Sequence, residues 1–148
     1  HLGEKQKWAK RTLWEESTRT PLLVTGPGIK TGTNCSEAVS LLDIYPTLIE
    51  LCSLPKPPQL DGLSLLPQLN DPAAVRKEPV LSSSYFGNHA LRTKDWRYIR
   101  YADGAEELYD HRIDPNEFTN LAEVPDHQQT KEQLTKWLPT DATQEIKK

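Results

Sequence analysis

Residues 95–110, DWRYIRYADGAEELYD, decide the fold of this 148-residue chain. The side chains of 95–102 alternate between two faces of an expected strand. One face carries Trp96, Tyr98 and Arg100, and the other carries Arg97, Ile99 and Tyr101. Asp103-Gly104 follows as a two-residue hairpin signal, because glycine tolerates a positive φ. We therefore predict two antiparallel strands joined by a tight turn, the second of them at EELYD (106–110).

Two further strands are predicted on the amino-terminal side of this hairpin. They are PVLSSSYF (79–86) and HALRT (89–93), and short links join them to each other and to the hairpin. The expected result is a four-stranded antiparallel sheet in which sequence neighbours pair. After the sheet, DPNE (114–117) has the pattern of a helix start, with Asp114 as cap and Glu117 three residues later. DHQQTKEQLTKWL (126–138) then has helical spacing. This helix is predicted to present to the sheet Thr130, Leu134, Trp137 and Leu138.

The first third of the chain has a different pattern. TPLLVTGPG (20–28) predicts a short buried strand, since a continuous apolar run ends in a Gly-Pro-Gly turn. SLLDIYPTLIELCSL (40–54) predicts a helix, with Asp43 as its cap and Pro46 in its first turn. A strand followed by a helix is typical of the edge of an α/β layer. Because one strand and one helix cannot bury both of their faces, we expect this part to expose apolar surface.

The composition excludes two classes of partner. The formal net charge is −3 and no long basic run is present, so nucleic acid is not expected as a ligand. No apolar run approaches the roughly 20 residues that cross a bilayer, so no membrane partner is expected either. Hydrophobic residues make up 36% of the chain and charged residues 26%, which predicts a modest core.

The densest group of cations lies in EKQKWAKR (4–11). It contains Lys5, Lys7, Lys10 and Arg11 around Trp8. In isolation such a group is typical of a solvated, positively charged surface. A functional interpretation is favoured by the neighbouring glycine-containing turn and predicted strand, where α/β proteins commonly place their sites. A tryptophan could also hold an ammonium group against a low-dielectric wall, which would strengthen its attraction for an anion.

Residues 1–28 resemble formylglycine-dependent sulfatases, in the segment that follows their Asp-His-Gly or Asp-Asn-Gly metal motif. The family pattern is Leu-Gly-Glu, a few residues, an aromatic, one residue, Lys, and then Glu-Glu-Ser-x-Arg-x-Pro. This sequence matches it at Leu2-Gly3-Glu4, Trp8, Lys10, Glu15-Glu16-Ser17, Arg19 and Pro21. Residues 40–69 and 97–122 resemble later segments of the family in the same order. Iduronate-2-sulfatase-like and choline-sulfatase-like members are the most similar.

The resemblance implies an α/β, alkaline-phosphatase-like fold of which this chain forms the carboxyl-terminal portion. It also implies hydrolysis of sulfate esters of a sugar or a small organic molecule. On this basis residues 1–54 are predicted to end the large catalytic α/β domain, and 55–77 form a proline-rich connector. Residues 78–148 are predicted to form a small α+β subdomain, in which the sheet packs against the last helix.

The resemblance assigns a catalytic and substrate-binding role to one residue of the chain. Lys10 matches the family lysine that contacts the sulfate ester and helps the bridging oxygen leave. His89, at the tip of a Gly-Asn loop, is a second substrate-binding candidate, whose imidazole would read a sugar hydroxyl or carboxylate. The alternative for His89 is a satisfied structural histidine. His1 is expected to be structural, and His111 and His127 are expected to lie on the surface. Buried structural ion pairing is expected for Glu15, Glu16 and Arg19. No residue of this chain is predicted to bind metal.

The resemblance also implies that essential groups lie outside this chain. The formylglycine precursor stands in Cys-x-Pro/Ala-x-Arg, a pattern that neither Cys35 nor Cys52 fits, and some members use Ser. Formylglycine and the ligands of the family's calcium ion are therefore expected upstream, in an amino-terminal fragment that is the expected partner. We expect this chain alone to be inactive. The implied location is the periplasm or the cell exterior, or the lysosome in a eukaryote.

Two alternatives remain open at this point. One is a phosphate- or phosphonate-ester hydrolase on the same scaffold, in which Lys10 would serve equally well. The other is a non-catalytic carbohydrate-binding module. In that module Trp96, Tyr98 and Arg100 would stack against a sugar, although packing against the last helix is a more economical use of their face.

Overall fold

The computed structural model describes residues 3–8 and 11–140 of the chain. The described residues form two compact units. The sheet unit takes in the described parts of His1–Thr20 and Pro79–Lys148, and the helical unit is Pro21–Glu78. The first twenty residues therefore group with the carboxyl-terminal sheet and not with the helix that follows them. The division of the complete protein at residues 54 and 77 stays a prediction.

The sheet is the predicted one. Its strands are β1 (Val80–Ser84), β2 (Asn88–Arg92), β3 (Trp96–Arg100) and β4 (Glu106–Asp110). They lie in the order β1-β2-β3-β4, and every neighbouring pair is antiparallel. At the β3–β4 hairpin Gly104 has φ of 89°, a conformation that glycine adopts without a steric penalty. Local alternation and turn chemistry were enough to predict this topology.

One face of the sheet, here called the apolar face, packs against helix α4 (Gln128–Thr135) and the chain around it. Its buried cluster consists of Leu91, Tyr98, Leu108, Ala122, Leu134 and Leu138. The helix is shorter than predicted, and Trp137, which follows its last turn, is 48% exposed and does not join this cluster. Tyr98 is fully buried. A sugar-stacking platform would need an accessible Tyr98 ring, so the prediction of this platform is wrong.

The opposite face, here called the polar face, is covered by the described residues 3–8 and 11–20, here called the amino-terminal segment. This segment includes the short helix α1 (Glu15–Thr18). Leu13 and Trp14 pack there with Ala90, Ile99 and Tyr109. Charged residues also lie on the polar face, beside this second buried cluster. Arg92 and Arg97 are direct partners in the register of β2 and β3, so their side chains point to the same side.

The helical unit contains α2 (Ile44–Leu51), preceded by the 3₁₀ turn Leu41–Asp43, and α3 (Leu66–Asn70). Asp43 does not cap α2 as predicted. Its carboxylate instead accepts a 2.7 Å hydrogen bond from the Ser40 N–H, in a capping box that begins one turn earlier. Asp43 is fully buried and also forms an ion pair of 2.7 Å with Arg76. It therefore ties the helix start to the end of the unit.

The predicted buried strand at 20–28 is not formed. A strand needs a hydrogen-bonded neighbour, and no described strand pairs with this segment. Leu23 is 84% exposed. On the predicted apolar side of the helix, Leu41 is 66% exposed and Tyr45 is 56% exposed. The expectation that this part exposes apolar surface is thus confirmed. None of the described helices is long and apolar enough to span a membrane.

Candidate functional site

Two adjoining groups of titratable and aromatic side chains lie on the polar face of the sheet unit. The first, here called the arginine network, consists of Glu15, Arg92, Arg97, His111 and Glu117. The second, here called the lysine cluster, consists of Lys5, Trp14, Tyr101, Glu107 and Tyr109. Both groups join the amino-terminal segment to the sheet.

Arg97 is the centre of the arginine network, with only 2% of its side chain exposed. Its Nη1 donates to the carbonyl oxygen of Leu13 at 2.7 Å. Its Nη2 donates to Glu15 Oε2 at 2.5 Å and to Thr18 Oγ1 at 3.1 Å. One guanidinium group therefore holds three points of the amino-terminal segment on strand β3. This use fits arginine, whose planar fork presents several fixed donors.

Glu117 completes the network from the chain that follows β4. It is 1% exposed, and its Oε2 accepts a 2.9 Å hydrogen bond from the Glu15 N–H. Its Oε1 lies 2.5 Å from Arg97 Nε. That N–H is not directed at the oxygen, so the contact is ionic and Nε makes no hydrogen bond among the described residues. Glu117 has φ of 59°, a strained conformation for a residue with a side chain.

His111 bridges the two ends of the network. Arg92 Nη2 lies 2.9 Å from His111 Nδ1, and His111 Nε2 lies 2.9 Å from Glu117 Oε1. Because a guanidinium group can only donate, Nδ1 accepts and Nε2 donates. Arg92 also pairs with Glu15 at 3.0 Å. The network is therefore continuous from α1 through two strands to the turn after β4.

The charges of the arginine network shift the pKa values of its carboxyl groups. Burial alone would raise the pKa of Glu15, but Arg92 and Arg97 outweigh it and lower that pKa to about 2. Burial likewise opposes ionisation of Glu117, and His111 and Arg97 nevertheless lower its pKa. Both carboxyl groups are therefore ionised at neutral pH. Glu15 forms the structural ion pairs expected of it, whereas Glu16 and Arg19 are exposed and the expected burial is wrong for them.

Glu15, His111 and Glu117 have ligand atoms within 4.8 Å of one another, close enough for a metal ion. They do not fit the calcium ion that the resemblance implies. Two guanidinium groups already neutralise the two carboxylates, and His111 Nδ1 is taken up by Arg92. A divalent cation here would also be repelled by both arginines. The arrangement is a charge-balanced structural network.

Lys5 is the centre of the lysine cluster. Its Nζ lies 4.4 Å from the centre of the Trp14 ring and 4.3 Å from that of the Tyr109 ring, within cation–π range of both. It also donates to Tyr109 Oη at 3.1 Å. Burial lowers the pKa of Lys5, while the nearby carboxylates of Glu117 and Glu107 oppose this shift.

Glu107 organises the other side of the lysine cluster. Its Oε2 accepts from Trp14 Nε1 at 2.6 Å and from Tyr109 Oη at 2.7 Å, and its Oε1 accepts from Tyr101 Oη at 3.1 Å. Burial and the Glu107 charge raise the pKa values of both tyrosines. The two phenols therefore keep their protons and act as donors.

The sequence-predicted site residues fall in different places. Lys10 and His1 lie outside the described residues. His89 lies on β2 with its side chain on the side of the apolar face, where Nδ1 is 2.8 Å from Ser83 Oγ. Burial and the charge of Arg100 lower its pKa. Leu13 and Trp14 pack on the opposite face, so the sheet lies between His89 and these two residues.

Several residues of the two groups were not predicted as parts of a site. His111 was expected on the surface, yet only 6% of its side chain is exposed. Glu117 was expected to begin a helix, and it is instead a buried ion partner. Arg97 did carry a signal, since it alternates onto a face with Ile99 and Tyr101. An arginine on a half-apolar strand face requires a counterion, but its partners lie far away in sequence.

Comparisons with known proteins place this sheet, helix and motif among sulfatases. Mouse (Mus musculus) arylsulfatase K is 39% identical, over 80% of this chain and 24% of its own length. Choline-sulfatase of Rhizobium meliloti is 40% identical, over 84% of this chain and 25% of its own length. Among solved structures, BT1596, a 2-O GAG sulfatase, has a TM-score of 0.70 at 27% identity. That match covers 93% of this chain and 35% of BT1596.

The fold and the motif define a carboxyl-terminal sulfatase domain. Residues 3–144 match the family model for the C-terminal part of N-sulphoglucosamine sulphohydrolase, and the chain belongs to this family. The chain spans about a quarter of the length of the curated relatives that it matches.

Proposed function

We propose that the complete protein hydrolyses sulfate esters of a sugar or small organic molecule, and that this chain contributes Lys10 to the sulfate site. The proposal is carried by the family match over residues 3–144. It is supported by the run from Leu2-Gly3-Glu4 through Lys10 to Glu15-Glu16-Ser17. The names arylsulfatase K, choline-sulfatase and 2-O GAG sulfatase favour a sulfate ester over a phosphate or phosphonate ester.

The chemistry of the lysine side chain suits the proposed role of Lys10. A compact ammonium group can stabilise negative charge that develops on the bridging oxygen of the ester as its bond to sulfur breaks. It can also donate a proton to that oxygen as it leaves. Either contribution grows as the leaving group becomes a poorer one. Lys10 should therefore matter most for alkyl and sugar esters.

The nucleophile and metal of the proposed reaction are expected from the upstream part of the protein. Formylglycine, when present, supplies the attacking oxygen. Neither Cys35 nor Cys52 stands in its motif, and the arginine network does not fit a calcium ion. The apolar side chains that α2 exposes, among them Tyr45 and Leu48, support an interface with that upstream part. A periplasmic, extracellular or lysosomal location stays a prediction.

His89 remains a proposed second contact to the substrate. It is supported by a partly exposed imidazole, positioned by Ser83. Its position on the apolar side of the sheet means that substrate would have to reach it around the β1–β2 hairpin. In the complete protein, His89→Ala should raise the KM for a sugar sulfate and leave the KM for 4-nitrophenyl sulfate unchanged. An unchanged KM for both esters would leave His89 with a structural role only.

The proposed function is tested by assaying the complete protein on 4-nitrophenyl sulfate and 4-nitrophenyl phosphate. We expect hydrolysis of the sulfate ester, and a loss of about 10²–10⁴-fold in kcat/KM for Lys10→Ala. Lys7→Ala, which changes an exposed lysine three residues earlier, is the matched control and should leave the rate unchanged. Hydrolysis of the phosphate ester alone would favour the phosphatase alternative. A fully active Lys10→Ala variant would remove Lys10 from the mechanism.

A mass measurement tests the expected partner directly. The upstream polypeptide should carry Cys-x-Pro/Ala-x-Arg or its serine counterpart, and its mass should show conversion of that residue to formylglycine. An upstream polypeptide with neither motif would contradict the proposed nucleophile. A non-catalytic module would be indicated instead if the complete protein bound a sugar and hydrolysed none of these esters.

A further inference from the structure

Two residues of the lysine cluster flank Lys10 in the sequence. Lys5 lies five positions before it and Trp14 four positions after it. The two residues contact different positions on the same face of strand β4, since Lys5 donates to Tyr109 and Trp14 donates to Glu107. The Lys5 ammonium group also lies 4.4 Å over the Trp14 ring. The two ends of the segment 5–14 are therefore held together on one strand.

The described residues between these ends do not form a long regular element. Apart from the single 3₁₀ turn Glu4–Gln6, residues 7–8 and 11–14 have no helix or strand. Lys7, Trp8 and Arg11 are exposed, and Trp8 is 78% exposed. As far as it is described, this stretch is therefore loop, and its two ends are fixed to a sheet. Functional residues are commonly presented in this way, on loops held by a rigid scaffold.

Backbone strain is concentrated in the same loop. Lys5, Gln6 and Arg11 have φ of 50°, 59° and 95°, in the left-handed region that side chains disfavour. Such residues persist only where surrounding contacts impose them, and they cluster at functional sites. Here the surrounding contacts are the ones that hold Lys5 and Trp14.

The carboxyl end of the loop has a second anchor. The carbonyl oxygen of Leu13, next to Trp14, accepts a 2.7 Å hydrogen bond from the buried Arg97. Lys5 has no comparable backbone anchor to the sheet among the described hydrogen bonds. The amino end of the loop is therefore the more sensitive one, because it depends on a single side chain.

We propose that Lys5 and Trp14 are positioning residues, which clasp the loop on Glu107 and Tyr109 of strand β4 and thereby fix Lys10 against the substrate. This inference rests on the proposed function of Lys10. In the proposed role the lysine cluster acts through Lys10 and not on the reacting atoms themselves. Its effect is geometric, and a displacement of about 1 Å in a catalytic group can cost about 100-fold in rate. The small carboxyl-terminal sheet thus acts as the support of a catalytic loop.

The leaving group distinguishes a positioning role from a merely structural one. We would measure kcat/KM of the complete protein on 4-nitrophenyl sulfate, which has a good leaving group, and on phenyl sulfate, which has a poor one. Loss of folded enzyme lowers both rates by the same factor. Displacement of Lys10 lowers the rate on phenyl sulfate more, because departure of the poor leaving group depends on its help.

Four single variants are compared on the two esters. Lys10→Ala defines the dependence on the leaving group. Lys5→Met keeps the aliphatic stem and removes the ammonium group, and Trp14→Phe keeps an aromatic ring and removes the donor to Glu107. Lys7→Met is the control, since it removes an exposed lysine from the same loop.

We expect Lys5→Met to lower the rate on phenyl sulfate by about 10-fold and that on 4-nitrophenyl sulfate by about 2-fold, with Trp14→Phe in the same direction. The Lys5→Met, Lys10→Ala double variant should be no slower than Lys10→Ala alone, since both changes remove one contribution. Equal losses on both esters, or losses that multiply in the double variant, would overturn the proposed clasp. If Lys10→Ala lowers both rates by the same factor, the result contradicts the proposed function of Lys10, whatever the effect of Lys5→Met.

Discussion

The two faces of the four-stranded sheet are held in different ways. The apolar face packs through Leu91, Leu108 and Leu134, and its contacts are the non-directional burial of hydrocarbon. The polar face has an apolar cluster too, but it also holds its covering segment through hydrogen bonds of Arg97, each of which has a required direction and distance. Apolar packing tolerates small displacements of a helix. The polar face fixes its segment at named atoms, which suits the proposed catalytic role of Lys10 in that segment.

The difference predicts that one face is more sensitive to single substitutions than the other. On the apolar face, removing a side chain costs its transfer free energy and the cavity that remains. On the polar face, removing one charge leaves its partners buried and unpaired, which costs more than the net value of the original pair. The following predictions test this ranking.

The largest loss of stability is expected for Arg97→Met. The change leaves Glu15 and Glu117 without their shared guanidinium group, which should cost about 3–5 kcal/mol. Hydrogen exchange of the β3 amides in the complete protein, measured across a urea series, would report the loss locally. Lys94→Met is the control, because it changes an exposed lysine before the same strand and should stay within about 0.5 kcal/mol. A loss below about 1 kcal/mol for Arg97→Met would contradict the comparison.

A smaller loss is expected on the apolar face for Leu108→Ala. Leu108 is fully buried, so its truncation should cost about 2–4 kcal/mol through the cavity against α4. The same exchange experiment on the β4 amides measures it. Leu81→Ala, at a position that is 40% exposed, is the matched control and should cost under about 1 kcal/mol. The ranking of the two faces would be reversed if Leu108→Ala cost more than Arg97→Met.

Acid should weaken the polar face first. The pKa of Glu15 is about 2 in the folded chain, against 4.5 for an unperturbed glutamate, so the unfolded chain binds its proton first. The stability that Glu15 contributes is therefore fully present above about pH 4.5 and is lost as the pH falls toward 2. The pKa of Glu117 is shifted in the same direction. Thermal unfolding midpoints should fall across this window, and by less in Glu15→Gln. Equal falls in both proteins would refute this assignment.

The smallest effect is expected for Lys131→Met, at the rim of the apolar face. Lys131 pairs with Glu106 at 2.8 Å, but both side chains keep contact with solvent, at 17% and 29% exposure. Such a pair contributes at most about 1 kcal/mol and is screened by salt. The difference between variant and parent should shrink further in 1 M salt. A loss as large as that of Arg97→Met would show that burial is not what separates the two ion pairs.

Local features made most of the sheet unit predictable. The alternation through Tyr98 and Ile99, the Asp103-Gly104 turn and the helical spacing around Leu134 are short-range patterns, and each element formed close to its expected bounds. Trp137 was assigned to the core because the helix was expected to continue to it. The chain leaves the helix after Thr135, and this removes the periodicity on which the assignment depended.

The candidate site was less predictable because its contacts are distant in sequence. Glu15 and Arg97 are 82 residues apart, and Trp14 and Glu107 are 93 apart. Spacing rules carry no information over such distances. The family motif could point to Lys10, but it could not show that Lys5 and Trp14 meet on strand β4.

In the sheet unit, the sequence by itself determined which segments become the strands and the last helix, how the strands pair, and which side chains share a face. These properties depend on the alternation of neighbours and on turn residues, which act over a few positions. Only the tertiary structure decided that the amino-terminal segment lies on the polar face, and that Glu15 and Glu117 neutralise one buried arginine. Which charges meet depends on how distant segments pack, because a buried ion is stable only where that packing supplies its counterion.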